Sequence, residues 1–86
     1  MKEELREERF VTTDFGLTVA LITQGFEPIE IKTVDRKRVQ FEFLQPDKIA
    51  EYAERYYTNR LLLPAQRLHL NAKELKNRIF PMLNSK

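Results

Sequence analysis

The stretch Asp14-Phe15-Gly16-Leu17-Thr18-Val19-Ala20-Leu21-Ile22-Thr23-Gln24-Gly25-Phe26 decides how this chain folds. It is the most apolar run and holds both glycines. It reads as a short buried helix with a marked start and a marked stop. Asp14 or Thr13 serves as the N-cap, because either side chain can accept a bond from a first-turn N–H that lacks a helical partner. Gly25 is the stop, since glycine takes the left-handed conformation without steric cost. Phe26 is expected to fold back on Leu21 or Ile22. Leu17, Ala20, Leu21 and Gln24 form one stripe, and Val19 and Ile22 fall outside it. A helix apolar on more than one side is covered on more than one side. Gly16 and Ala20, one turn apart, permit close approach of another element. A glycine beside a helix start can cradle phosphate, but Asp14-Phe15-Gly16-Leu17 lacks the P-loop pattern, so a packing role is expected.

Outward from this helix the chain alternates between strand and helix signals. Before it, residues 9–13 are rich in β-formers and read as a strand. After it, Glu27-Pro28 breaks the chain. Ile29 to Val34 then alternates, residues 35–37 form a polar turn, and Val39, Phe41 and Phe43 face one side against Gln40 and Glu42 on the other. Period two is the pattern of a half-buried strand, so an antiparallel hairpin is expected. Pro46 and Asp47 suit the first turn of a second helix. Its core stripe is Ile49, Tyr52, Ala53 and Tyr56, and Thr58-Asn59 ends it. Residues 60–63 read as a short edge strand. Pro64 then opens a third helix with the stripe Leu68, Ala72, Leu75 and Ile79, stopped by Pro81. An alternative leaves Leu68-His69-Leu70 extended and starts the helix at Asn71, with Glu74 completing a capping box; one continuous helix is the preferred reading. The expected architecture is an α+β two-layer sandwich, β-α-β-β-α-β(short)-α, with helices on one face of an antiparallel sheet. Residues 10–81 make one domain, after a charged lead at 1–9 and before a tail at 82–86.

Composition narrows the class. Eighty-six residues make one domain with a small core. An apolar fraction of 42% argues against disorder. There is no cysteine, hence no disulfide framework and no thiolate metal site. The longest apolar run is far below the roughly 18 residues of a membrane span. The start, MKEELREER, has no apolar core of a signal peptide. A soluble, cytoplasmic protein is expected. Net charge is +2 but uneven. Residues 1–59 carry nine Lys/Arg against twelve Asp/Glu, or −3, and residues 60–86 carry six against Glu74 alone, or +5. Such asymmetry hints at an anionic partner.

The frame Thr12-Thr13-Asp14-Phe15, Leu21, Gly25-Phe26, followed by Arg38-Val39-Gln40-Phe41-Glu42-Phe43, resembles a family of short uncharacterised proteins. Tyr56-Tyr57, Leu61-Leu62-Leu63 and Leu75-Lys76-Asn77-Arg78-Ile79 carry the same likeness. That family is a domain of unknown function found in bacteria, their phages and mobile elements. The likeness covers about residues 10–80. It implies the α+β fold and a phage or mobile-element setting, and it transfers no catalytic residues.

Chemistry-bearing constellations are scarce. His69 is the only histidine, with no spacing of strong ligands around it, so no metal is expected. The pairs Glu3-Glu4 and Glu7-Glu8 lie in a charged segment, without the dry, shaped setting that general acid–base work needs. Ser85, in the tail, is the only serine. No catalytic residue and no cofactor is expected, and the chain reads as non-enzymatic. Phe41 and Phe43 could stack bases, but their strand lacks the basic and glycine positions of RNA-recognition sheets, so they read as core. Two binding readings remain. The first is a small accessory or inhibitor protein that binds a larger protein, or a second copy, through Tyr57, Leu61 and Leu62 and the adjoining strand edge. The second is direct binding of DNA or RNA by Arg36, Lys37 and Arg38 at the hairpin turn with Arg60, Arg67, Lys73, Lys76 and Arg78 on or before the last helix.

Overall fold

The computed structural model describes residues 8–84. The elements are β1 (Phe10–Thr12), α1 (Phe15–Gln24), β2 (Glu30–Thr33), β3 (Val39–Phe43), α2 (Pro46–Tyr57) and α3 (Ala65–Asn84). They form the α+β arrangement that the hydrophobic periods dictate. The sheet order is β1-β3-β2, and both pairings are antiparallel. β1 and β2 therefore run in the same direction, with β3 inserted between them. Register places Phe10 opposite Phe43, and Thr12 and Ile31 on either side of Phe41. These residues share the inner face of the sheet, because partners across a ladder point the same way.

α1 is held as its ends predict. Asp14 is the N-cap, and its Oδ1 accepts the Leu17 N–H at 3.0 Å. Thr12 Oγ1 accepts the Asp14 N–H at 3.0 Å, which ties β1 to the helix start. Gly25 sits at φ 120°, in the region that favours glycine. There the Phe26 N–H reaches back to the Leu21 carbonyl at 2.9 Å, the six-to-one bond of a glycine-stopped helix. The Phe26 ring packs edge-on against Tyr52 at 5.4 Å, so the helix stop is also a contact with α2. Leu17, Val19 and Leu21 join Phe41, Phe43, Ile49 and Leu75 in one core.

Two expectations need correction. Residues 60–63 form no strand. The Arg60 N–H is spent on the Arg55 carbonyl, closing α2 through Asn59 at φ 62°. The segment thus stays in the helical layer, away from the sheet, whose edges are β1 and β2. Its alternation is real, with Leu61 and Leu63 half-buried and Leu62 exposed, but it packs on helices. Pro81 does not stop α3, which runs on to Asn84. An exposed proline so close to the end forfeits one N–H bond, to the carbonyl four residues back. Met82 and Leu83 gain burial beside residues 33–36 in return. Residues 82–84 of the expected tail are therefore helical. Residues 68–70 are helical too, in one continuous α3. Of the charged lead at 1–9, only Glu8 and Arg9 lie within the described residues.

Candidate functional site

The start of α1 and the end of α2 meet at one carboxylate. Asp14 Oδ1 caps α1, and Oδ2 accepts the Tyr57 hydroxyl at 2.5 Å. The Tyr57 hydrogen bond, with the Leu17 N–H, holds the Asp14 carboxyl below the usual range. The same bond pushes the Tyr57 phenol up to about 12. Tyr56 is raised as well, first by burial and then by the Asp14 charge. Both phenols are therefore neutral near pH 7. Their rings meet edge to face at 5.2 Å. Gly16 leaves room for the Tyr56 hydroxyl, which a Cβ there would run into.

A groove of about 410 Å³ opens beside this junction. Phe15, Val19, Tyr56, Leu61, Leu63 and Leu68 are among its lining residues, and none of the lining side chains is charged. Leu62, between the lining residues Leu61 and Leu63, is 92% exposed, and Tyr57 is 61% exposed. Of Tyr57, Leu61 and Leu62, only Leu61 lines the groove; Leu62 turns out of it and Tyr57 is exposed beside the junction.

The cations do not gather on one surface. Arg60 adjoins the groove at the start of α3. Arg36, Lys37 and Arg38 lie at the hairpin turn, where Arg36 lines a depression with Met82 and Leu83 at the other end of that helix. A helix of 20 residues separates the groups by about 30 Å. On α3 itself the spacing sets Lys73 and Lys76 on one flank of the buried stripe and Arg67 and Arg78 on the other. Arg38 is paired with Asp35 at 3.3 Å. The Lys37 N–H first, then Arg38, hold the Asp35 carboxyl below its usual range. Arg36, Lys37, Lys76 and Arg78 are exposed.

The outer face of the sheet carries a network that the alternation did not announce. Glu42 is only 6% exposed although it points away from the core. Arg9 bonds its Oε1 at 2.8 Å, and Gln40 and Lys32 reach its Oε2 at 2.9 and 3.3 Å. Arg9 also reaches Glu30 at 3.0 Å. Arg9 foremost keeps the Glu42 carboxyl below its ordinary value. These charges satisfy one another. The Tyr57 bond to Asp14, 43 residues away, was equally invisible, because nothing local in either sequence neighbourhood points to the other.

His69 is exposed on α3. Among the described residues, no three His, Cys, Asp or Glu side chains come together as a metal site. Among the same residues, no helix is long and apolar enough to cross a membrane. No curated protein and no solved structure matches the chain. The family model for DUF5659, a domain of unknown function, matches residues 7–81. The chain therefore belongs to the DUF5659 family.

Proposed function

We propose that this chain is a small non-enzymatic accessory or inhibitor protein, cytoplasmic and of the kind that phages and mobile elements carry. It acts by binding a larger protein through Tyr57, Leu61, Leu62 and the groove beside them. The observation that carries the reading is Leu62, a leucine 92% exposed at the border of an apolar groove. A leucine so exposed adds nothing to the fold, whereas a fixed aromatic ring and an apolar side chain beside a groove are what interface anchors require. The Tyr57 ring is held by its bond to Asp14, so little freedom is lost when a partner covers it. Capture from cell extract on immobilised wild type, Leu62→Asp and Tyr57→Ala tests this. A partner held by the wild type and released by both variants, at unchanged fold, supports the reading. Capture indifferent to both sinks it.

The second reading is direct binding of DNA or RNA. It is favoured by the approach of the hairpin turn to the end of α3, where Arg36 lines one depression with Met82 and Leu83. Binding of this kind falls steeply with salt. Fluorescence anisotropy with mixed-sequence DNA and RNA from low to physiological salt tests it. No binding at low salt removes it.

A further inference from the structure

We infer that the groove between the N-terminal half of α1, the end of α2 and the start of α3 receives an acidic segment of the partner, one that carries an apolar side chain. This rests on the reading that the surface docks a protein and names the chemistry of what enters.

The interior of the groove is apolar, and the exposed charges nearest to it are mostly positive, with Asp14 the one carboxylate at its junction. The walls are set by Phe15, Val19, Leu61, Leu63 and Leu68, with no charged side chain in the lining. No residue of α1 is charged. Asp14, which precedes it, has both carboxylate oxygens engaged, by the Leu17 N–H and the Tyr57 hydroxyl. From Asn59 to Lys73 there is no Asp or Glu. The same span supplies Arg60, flanked in sequence by the lining residues Asn59 and Leu61. Lys76 stands one turn beyond the lining residue Ala72 on α3, and Lys73 is adjacent to it. All three cations are exposed. The neighbouring acids lie elsewhere: Glu27 and Glu74 line a separate depression with Ile22, Leu75 and Arg78.

A basic partner would meet three cations against the single, already hydrogen-bonded Asp14 carboxylate at this rim, and a neutral one would leave the cations unused. An acidic segment places an apolar side chain in the groove and carboxylates beside Arg60 and Lys76. Complementary charge of this kind selects partners and speeds encounter.

The test pans a displayed library of short random peptides over the full chain. Two variants serve as controls. Ala65→Trp fills the groove from an exposed helix position, and the double variant Arg60→Glu, Lys76→Glu reverses the rim at exposed sites. Circular dichroism melting first shows that both remain folded. The expected result is enrichment of peptides combining Leu, Ile or Phe with Asp or Glu. These are lost on Ala65→Trp and weakened about fivefold or more on the reversed rim. Apolar peptides without acidic bias, still lost on Ala65→Trp, would overturn the acidic class and leave protein docking standing. Enrichment unaffected by Ala65→Trp, or none at all, would overturn the groove as the receiving site. The Leu62→Asp capture experiment then decides separately whether the surface docks protein.

Discussion

Asp14 and Tyr57 are joined by a hydrogen bond of 2.5 Å between the carboxylate that caps α1 and the phenol that ends α2. One side chain thus closes a helix and anchors the ring of the candidate docking surface.

Removing that carboxylate is expected to act on both. Asp14→Ala should cost about 0.5–2 kcal/mol, the range for loss of an N-cap, with the Tyr57 bond lost besides. Tyr57→Phe keeps the cap and loses only an exposed hydrogen bond, so its cost should stay under about 1 kcal/mol. Urea unfolding of both variants checks the order. A Tyr57→Phe protein less stable than Asp14→Ala would contradict it.

The same pair gives two opposite pH dependences. Asp14 has a depressed folded pKa, so its contribution is present above the unfolded value and is lost as pH falls through the folded one. Tyr57 is raised to about 12, so its contribution is full below the ordinary phenol value of about 10 and is lost as pH rises towards 12. Thermal melts of wild type and Tyr57→Phe should therefore converge above pH 10. Ultraviolet titration should show a late phenol ionisation that Tyr57→Phe removes.

Leu62 and Leu75 should separate surface from core. Leu62→Asp is expected to change stability by less than about 0.5 kcal/mol, as an exposed site does. Leu75, 2% exposed in the core cluster, should cost about 2–5 kcal/mol as Leu75→Ala. Equal losses at the two positions would show that Leu62 is covered in the folded chain.

Glu42→Gln should lower the melting temperature at neutral pH and flatten its fall in acid. Arg9, Gln40 and Lys32 all bond this carboxylate, and its depressed folded pKa means that its contribution disappears as pH drops through that value. Salt should weaken the Arg9 and Lys32 contacts, because both cations are partly exposed. An unchanged acid limb in Glu42→Gln would assign acid unfolding to other carboxylates.

What could be seen in advance follows the range of each interaction. Asp14, Gly25, Phe41 and Phe43 act through neighbours a few residues away, so α1 and the hairpin were legible as local patterns. The stripe of α2 was legible for the same reason. Residues 60–63 misled because alternation reports that one side is buried, and is silent on whether a strand or a helix buries it. Pro81 misled because the proline rule applies to helix interiors, while packing of Met82 and Leu83 against the hairpin turn carries the last turn onward. At the site, Tyr57, Leu61 and Leu62 were accessible as unstriped apolar residues near a helix end. Their anchor at Asp14 was not, because it joins elements distant in sequence. Five of the eight cations were visible as a charge asymmetry and three as a crowded hairpin turn, yet only the fold sets that turn at the far end of α3 from Arg60.

The insertion of β3 between β1 and β2 also fixes an order of assembly. Among the described residues, β1 has no partner in the sheet other than β3, and neither has β2. A nascent chain that has not yet delivered residues 39–43 can own a capped α1 but no sheet at all. Folding on the ribosome must wait for that one strand, and with it the inner face that Phe41 and Phe43 supply. Any truncation before residue 39 is therefore expected to yield a largely unfolded chain, since a ten-residue helix is marginal without packing, not a smaller version of the domain.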